Sequence, residues 1–86
     1  MNKVEKLLNR FLSKPTDFSY QELKRLLSGF GYEESTKGRT SGSRVAFINE
    51  KTKHIIRLHK PHPGPNLKAY QLKLVETALR EEGHIQ

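Results

Sequence analysis

Residues 32–59 read YEESTKGRTSGSRVAFINEKTKHIIRLH, and the architecture of the chain follows largely from the pattern of this segment. It predicts three β-strands at 32–37, 43–49 and 54–59, because apolar and polar residues alternate there with the period of two that a pleated strand requires. Val45 and Phe47 share one face of the second strand, whereas Ile56 and Leu58 share one face of the third. Polar turns at 38–42 and 50–53 separate the strands, so the sequence predicts an antiparallel meander.

Helical patterns flank the predicted meander on both sides. Residues 2–13 have the apolar spacing of a short amphipathic helix, and the proline that follows two residues later ends it. Ser19 and Glu22 form a capping box that begins a second helix. The last helix is predicted at about 68–82, and the apolar positions expected on its buried side are Tyr70, Leu74, Val75, Ala78 and Leu79.

The element order α, α, β, β, β, α predicts an α+β fold, in which helices cover one face of a three-stranded antiparallel sheet. The second and third helices bracket the sheet and are expected to cover it, whereas the sequence does not fix where the first helix packs. Residues 60–66 hold three of the four prolines and predict a stiff loop. A chain of 86 residues has room for one core, so a single domain is expected at 1–86.

The formal charge of +7 is concentrated in one part of the chain. Residues 35–68 contain eight basic residues and one acid, whereas the rest of the chain has eight of each. Such a concentration draws polyanions to one region, so the expected partner is nucleic acid or an acidic protein surface. The chain has no cysteine, which excludes disulfides and thiolate metal sites and fits a reducing compartment, so a cytoplasmic location is expected. It has no long apolar run, so neither a signal peptide nor a membrane partner is expected.

Four fragments occur in a fixed order: LLSGFGY at 26–32, KGRTSGSRVAF at 37–47, LHKPHPG at 58–64 and the pattern LKxYxL at 67–72. Together they resemble the HicA toxins of type II toxin-antitoxin systems. The resemblance covers about residues 17–85 and implies a core similar to a double-stranded-RNA-binding domain, α-β-β-β-α, with residues 1–15 as an N-terminal helical extension. It also implies a ribosome-independent mRNA interferase, an endoribonuclease that a HicB-type antitoxin holds silent.

The candidate catalytic residues follow from one departure from that family. The family's usual catalytic histidine follows the Gly-Ser pair of the second strand, where this chain has Gly42, Ser43 and Arg44. Metal-independent RNA cleavage needs a base for the 2′-hydroxyl proton, an acid for the leaving 5′-oxygen and cations for the phosphate. Imidazole suits the first two tasks and guanidinium the third. We therefore predict that His59, His62 and Arg44 are catalytic and meet at one end of the sheet.

An RNA-binding surface is predicted around these residues. Small residues in the turn at 38–42 and the free amides at the start of the last helix favour phosphate binding. The predicted RNA-binding residues are Lys37, Arg39, Ser43, Arg44, Arg57, Lys60 and Lys68. The same basic residues also fit a solvated face, and histidines beside prolines are often ordinary polar loop residues. No cysteine or nearby carboxylate completes a metal shell, so neither a metal nor another cofactor is expected.

Three functions stay open on these grounds. The first is a HicA-like endoribonuclease toxin that binds and cleaves mRNA. The second is a non-catalytic RNA-binding domain of the same fold, which Arg44 at the usual histidine position allows. The third is a protein-interaction module whose basic face grips an acidic antitoxin.

Overall fold

The computed structural model describes residues 3–35, 44–61 and 64–86. Its strands form one antiparallel sheet in the order β1-β2-β3, so the predicted α+β fold is confirmed. The predicted turn at 38–42 lies outside the described residues. The elements are α1 (Lys3–Leu12), α2 (Tyr20–Gly29), β1 (Tyr32–Ser35), β2 (Arg44–Asn49), β3 (Ile55–His59) and α3 (Ala69–Glu81).

The helices cover one face of the sheet and leave the other open. Val45 and Phe47 of β2 and Ile56 and Leu58 of β3 are each at most 7% exposed, because they point toward the helices. The residues between them are exposed or half-buried. Helix α2 lies against β1 and α3 against β3, which confirms that the second and third helices form the covering layer.

The start of α2 holds the loop that leads into α3. The capping box forms as predicted: the Glu22 N–H donates to Ser19 Oγ, and the Ser19 N–H donates to Glu22 Oε1. Just beside it, the Tyr20 N–H donates to the Pro65 carbonyl at 2.9 Å, and the Leu67 N–H donates to the Phe18 carbonyl at 2.8 Å. These backbone bonds fix the proline-rich loop, and with it the first turn of α3, relative to α2.

Helix α1 is part of the hydrophobic core. The Phe11 side chain is fully buried and its ring meets that of Phe18 edge-on, with the ring centroids 5.5 Å apart. The first turn of α1 lies so close to α2 that a Cβ added at Gly29 would be 2.7 Å from a methyl group of Val4. The sequence left the position of α1 open, and the structure places it against α2.

The rotation of α3 about its axis differs in part from the prediction. Tyr70 and Leu74 were expected on the buried side, but they are 64% and 43% exposed, so that prediction is wrong for these two residues. The sequence offers two apolar rows on this helix, and the row that continues from Leu72 is the one that packs against the core. The buried residues of α3 are Gln71, Leu72, Val75 and Leu79.

Candidate functional site

The open face of the sheet carries side chains in rows that run across β2 and β3. Directly opposite side chains have their Cβ atoms about 4.5–5.5 Å apart in an antiparallel pair, and the next row on the same face follows about 7 Å along the strands. The three rows are Arg44 opposite His59, Ala46 opposite Arg57, and Ile48 opposite Ile55. The structure therefore brings Arg44 and His59 side by side, with Arg57 one row away.

The cationic side chains that β2 and β3 carry on this face lie at one end of the strands. Arg44, Arg57 and His59 are exposed, and none of them forms an ion pair with another residue of the described ranges. At the opposite end, Glu33 of β1 lies beside the apolar row, and the neighbouring Glu50 carboxyl raises the pKa of Glu33 through a shared hydrogen bond and its charge. We call Arg44, Arg57 and His59 the cationic end of the open face.

Gln71 joins the cationic end to the first turn of α3. Its side chain is buried, and its Nε2 donates a hydrogen bond to the His59 carbonyl at 2.7 Å. Its Oε1 accepts a hydrogen bond from the Lys68 N–H at 3.0 Å, as the third helical residue does in a capping box. Gln71 was not among the predicted site residues, although its place three residues after the helix cap was a usable signal.

Lys60 lies on the other side of the sheet from His59. Its Nζ is 5.7 Å from the centre of the Tyr20 ring and 4.0 Å from Glu34 Oε2. Burial raises the pKa of Glu34, but the Tyr20 hydroxyl and the lysines, Lys24 and Lys60, outweigh it and hold the pKa below its usual value. The side chain of Lys60 is thus paired with an ionised carboxylate, and the structure separates it from the cationic end.

The remaining predicted residues fall into two groups. Lys68 is exposed and precedes the first turn of α3, next to the Gln71 contact. The candidates that lie outside the described residues are Lys37, Arg39, Ser43 and His62. The catalytic and RNA-binding roles of all these residues stay predictions. Two other basic residues of the segment 35–68, Lys51 and Lys53, were not predicted to bind RNA and lie in the turn between β2 and β3, at the end of the sheet away from Arg44.

The cationic end has the groups that phosphodiester chemistry uses. An exposed imidazole beside a guanidinium can exchange a proton while the cation holds phosphate oxygens. Within residues 3–35, 44–61 and 64–86, no three His, Asp or Glu side chains cluster closely enough to hold a metal ion. Among the helices of those ranges, none has the length and apolar character needed to cross a bilayer.

A family model for the HicA toxin of bacterial toxin-antitoxin systems matches residues 20–81. No curated protein and no solved structure matches the chain significantly. The family match spans α2, the sheet and α3, and it therefore contains the cationic end and the Gln71 contact but not α1. Because the match covers well over half of the sequence and agrees with the resemblance of its motifs, this chain belongs to the family of HicA toxins.

Proposed function

We propose that this protein is an endoribonuclease toxin that binds mRNA and cleaves it by metal-independent acid/base chemistry at the cationic end. The observation that carries the proposal is the exposed cross-strand pair of Arg44 and His59. Unpaired cations on one end of a sheet attract a phosphate backbone, and family membership supports the toxin role. The proposed site of action is the cytoplasm, where mRNA is found.

In the proposed mechanism, His59 takes the proton of the ribose 2′-hydroxyl as a general base. The 2′-oxygen then attacks the phosphorus and the 5′-oxygen leaves, which gives a 2′,3′-cyclic phosphate and a 5′-hydroxyl end. Arg44 and Arg57 stabilise the charge that builds on the phosphate oxygens, since guanidinium groups stay ionised and match phosphate geometry. His62, three residues after His59, is the proposed acid that protonates the 5′-oxygen.

The proposed protein partner is a HicB-type antitoxin whose acidic residues meet the cationic end. Ile55, 37% exposed, lies on the same face two residues from Arg57. A partner that covers this face would bury apolar area beside the arginines, and the charges would speed and orient the encounter. The bound antitoxin then inhibits RNA cleavage by covering the cationic end directly.

The test is incubation of the pure protein with a long RNA, with and without a chelator. We expect cleavage in both conditions and cyclic phosphate at the new 3′ ends. Cleavage that stops with the chelator would contradict the metal-independent mechanism. Salt-dependent RNA binding without cleavage would instead favour a non-catalytic RNA-binding domain, which the arginine at the usual histidine position supports. Absence of any RNA binding would leave only the protein-interaction module.

A further inference from the structure

We infer that the outer edge of β3 is the docking site for an extended, acidic segment of the antitoxin, which adds a fourth strand to the sheet. This inference rests on the proposed function and deepens it, because it states how the proposed protein partner binds. It depends on the direction of the backbone groups of β3 and on the charges beside each edge of the sheet.

Alternate residues of β3 turn their backbone groups away from β2. In an antiparallel pair, residues that hydrogen-bond across the ladder alternate with residues whose N–H and C=O point outward. The Asn49 N–H donates to the His54 carbonyl at 2.9 Å, so His54 faces β2, and every second residue after it does the same. The other end of β3 agrees with this, because Gln71 Nε2 reaches the His59 carbonyl from α3 at 2.7 Å. The outward backbone groups are therefore those of Ile55, Arg57 and His59.

Two of these three outward positions are unpaired in the described part of the chain. The Gln71 amide already bonds to the His59 carbonyl, as the N–H of a neighbouring strand would. The backbone groups of Ile55 and Arg57 have no hydrogen-bond partner among the residues that the structure describes, and both residues are exposed. Because β3 is the last strand in the order β1-β2-β3, this edge offers a row of donors and acceptors to an incoming strand.

The side chains beside this edge favour an acidic segment. Arg57 and His59 lie on the open face, and Ile55 lies next to Arg57 on the same face. Opposite charges across two paired strands stabilise a sheet, whereas like charges directly opposite each other destabilise it. A segment with an acidic side chain opposite Arg57 and an apolar one opposite Ile55 therefore fits this edge.

Other pairings at the sheet edges fit less well. On β1, Glu33 shares a hydrogen bond with Glu50, and this pair of acids would repel an acidic segment. A second copy of this chain paired along β3 would bring the cationic ends of both copies together, and their charges repel. The antitoxin segment is thus the occupant that matches both the hydrogen bonds and the charges of the β3 edge.

A strand at this edge accounts for inhibition as well as for binding. Its acidic side chains would lie beside Arg57 on the open face, one row from Arg44 and His59. The segment and an RNA phosphate would then compete for the same cations, so the antitoxin and RNA could not bind together.

The test measures hydrogen exchange of the backbone amides of the full chain by NMR. The probe is the protein encoded by the reading frame next to that of this chain, purified in complex with it. We expect the Ile55 and Arg57 amides to exchange slower in the complex by about 10-fold or more, since exchange then requires the added strand to open. The Glu34 amide is the control and should not change, because the same alternation points it outward at the edge of β1.

Ile55→Pro tests the edge by mutation. It removes one outward N–H without breaking a bond to β2, and proline is tolerated at the first residue of a strand. Ile55→Val is the matched control, because valine keeps the N–H and has as many side-chain carbons as proline. We expect Ile55→Pro to bind the antitoxin about 5-fold to 150-fold more weakly than Ile55→Val, since an acceptor left unpaired costs about 1–3 kcal/mol. Circular dichroism checks folding, and if Ile55→Pro does not fold, the amide measurement on the wild type decides.

Three results would overturn the inference while the proposed partner stands. In the first, the complex forms but the Ile55 and Arg57 amides exchange as fast as in the free chain. In the second, Ile55→Pro folds and binds as tightly as Ile55→Val. In the third, the Glu34 amide is protected instead, which would place the added strand on β1. A wild type that cleaves RNA but does not bind the neighbouring protein would refute the proposed partner and this inference together, and the proposed cleavage would stand.

Discussion

Replacing Gln71 with methionine should loosen the attachment of α3 to the end of β3. Methionine is unbranched and of similar size, so Gln71→Met keeps the buried volume and removes only the amide. The variant loses two hydrogen bonds: the one from Gln71 Nε2 to the His59 carbonyl at 2.7 Å, and the one from the Lys68 N–H at 3.0 Å. It therefore isolates what the amide contributes.

The expected loss is about 2 kcal/mol, since each hydrogen bond contributes about 1 kcal/mol net. A domain of this size has a total stability of about 4–13 kcal/mol, so the change is large enough to measure. It corresponds to a fall in melting temperature of about 8–16 °C. The rate of RNA cleavage should fall further than RNA affinity does, because a displacement of about 1 Å at a catalytic group can reduce the rate about 100-fold.

Gln71→Glu separates the two hydrogen bonds. At neutral pH its carboxylate still accepts from the Lys68 N–H but has no proton to donate to the His59 carbonyl, whose oxygen it repels. Burial beside that oxygen raises the pKa of the introduced carboxyl above its value in the unfolded chain. Stability is therefore retained below the unfolded pKa and lost as the pH rises through the folded pKa. We expect this variant to regain stability on acidification relative to Gln71→Met.

Thermal and urea denaturation followed by circular dichroism measure these changes, and Gln21→Met, at an exposed position of α2, is the matched control. The contrary result is a Gln71→Met variant that stays within about 0.5 kcal/mol of the wild type, the usual range for surface substitutions, and cleaves RNA at the wild-type rate. In that case, the amide neither stabilises the junction nor positions His59.

Two further predictions concern the packing of α1. Gly29→Ala should lower the free energy of unfolding by about 1 kcal/mol, because its Cβ would lie 2.7 Å from a Val4 methyl group and this crowding outweighs the gain in helix propensity. In urea denaturation, adding Val4→Ala to Gly29→Ala should restore stability, and Gly64→Ala is the control because no atom lies within 4 Å of its Cβ. An unchanged urea midpoint for Gly29→Ala would contradict the close approach of the two helices. The hydrogen bond from Arg10 lowers the pKa of Glu22 from 4.5 to about 2. The stability advantage of the wild type over Glu22→Gln should therefore be complete above pH 4.5 and disappear as the pH falls toward 2. Melting curves at several pH values test this, and an advantage that does not vary with pH would show that the charge of Glu22 does not contribute to stability.

The fold was predictable because its signals are local. The capping box at Ser19 identifies the start of α2 without reference to any other part of the chain. Strict alternation in β2 and β3 predicts which residues share a face, and this is why Arg44 and His59 could be expected together. The same alternation also places Lys60 and His59 on different faces of the sheet. The prediction that both bind RNA at one surface therefore disagreed with a pattern that the sequence already contained.

The packing of the helices depended on contacts that no local pattern contains. Helix α3 has one apolar row through Tyr70 and Leu74 and another that begins at Leu72, and either would make an amphipathic helix. Packing against the core and the hydrogen bonds of Gln71 determine which row is buried. Gln71 is polar, so a search for apolar periodicity does not identify it. The close approach of α1 depends on the absence of a side chain at Gly29, which becomes meaningful only when its neighbour is known.

We propose that RNA is cleaved at the cationic end, with His59 as the general base. The single-turnover cleavage rate of His59→Gln at saturating RNA tests this role, measured beside Lys51→Gln, which changes an exposed residue at the other end of the sheet. Loss of a general base typically costs about 100-fold to 10,000-fold. We expect a loss in that range for His59→Gln, with RNA still bound, and a wild-type rate for Lys51→Gln. Equal rates for both variants and the wild type would show that cleavage does not depend on His59.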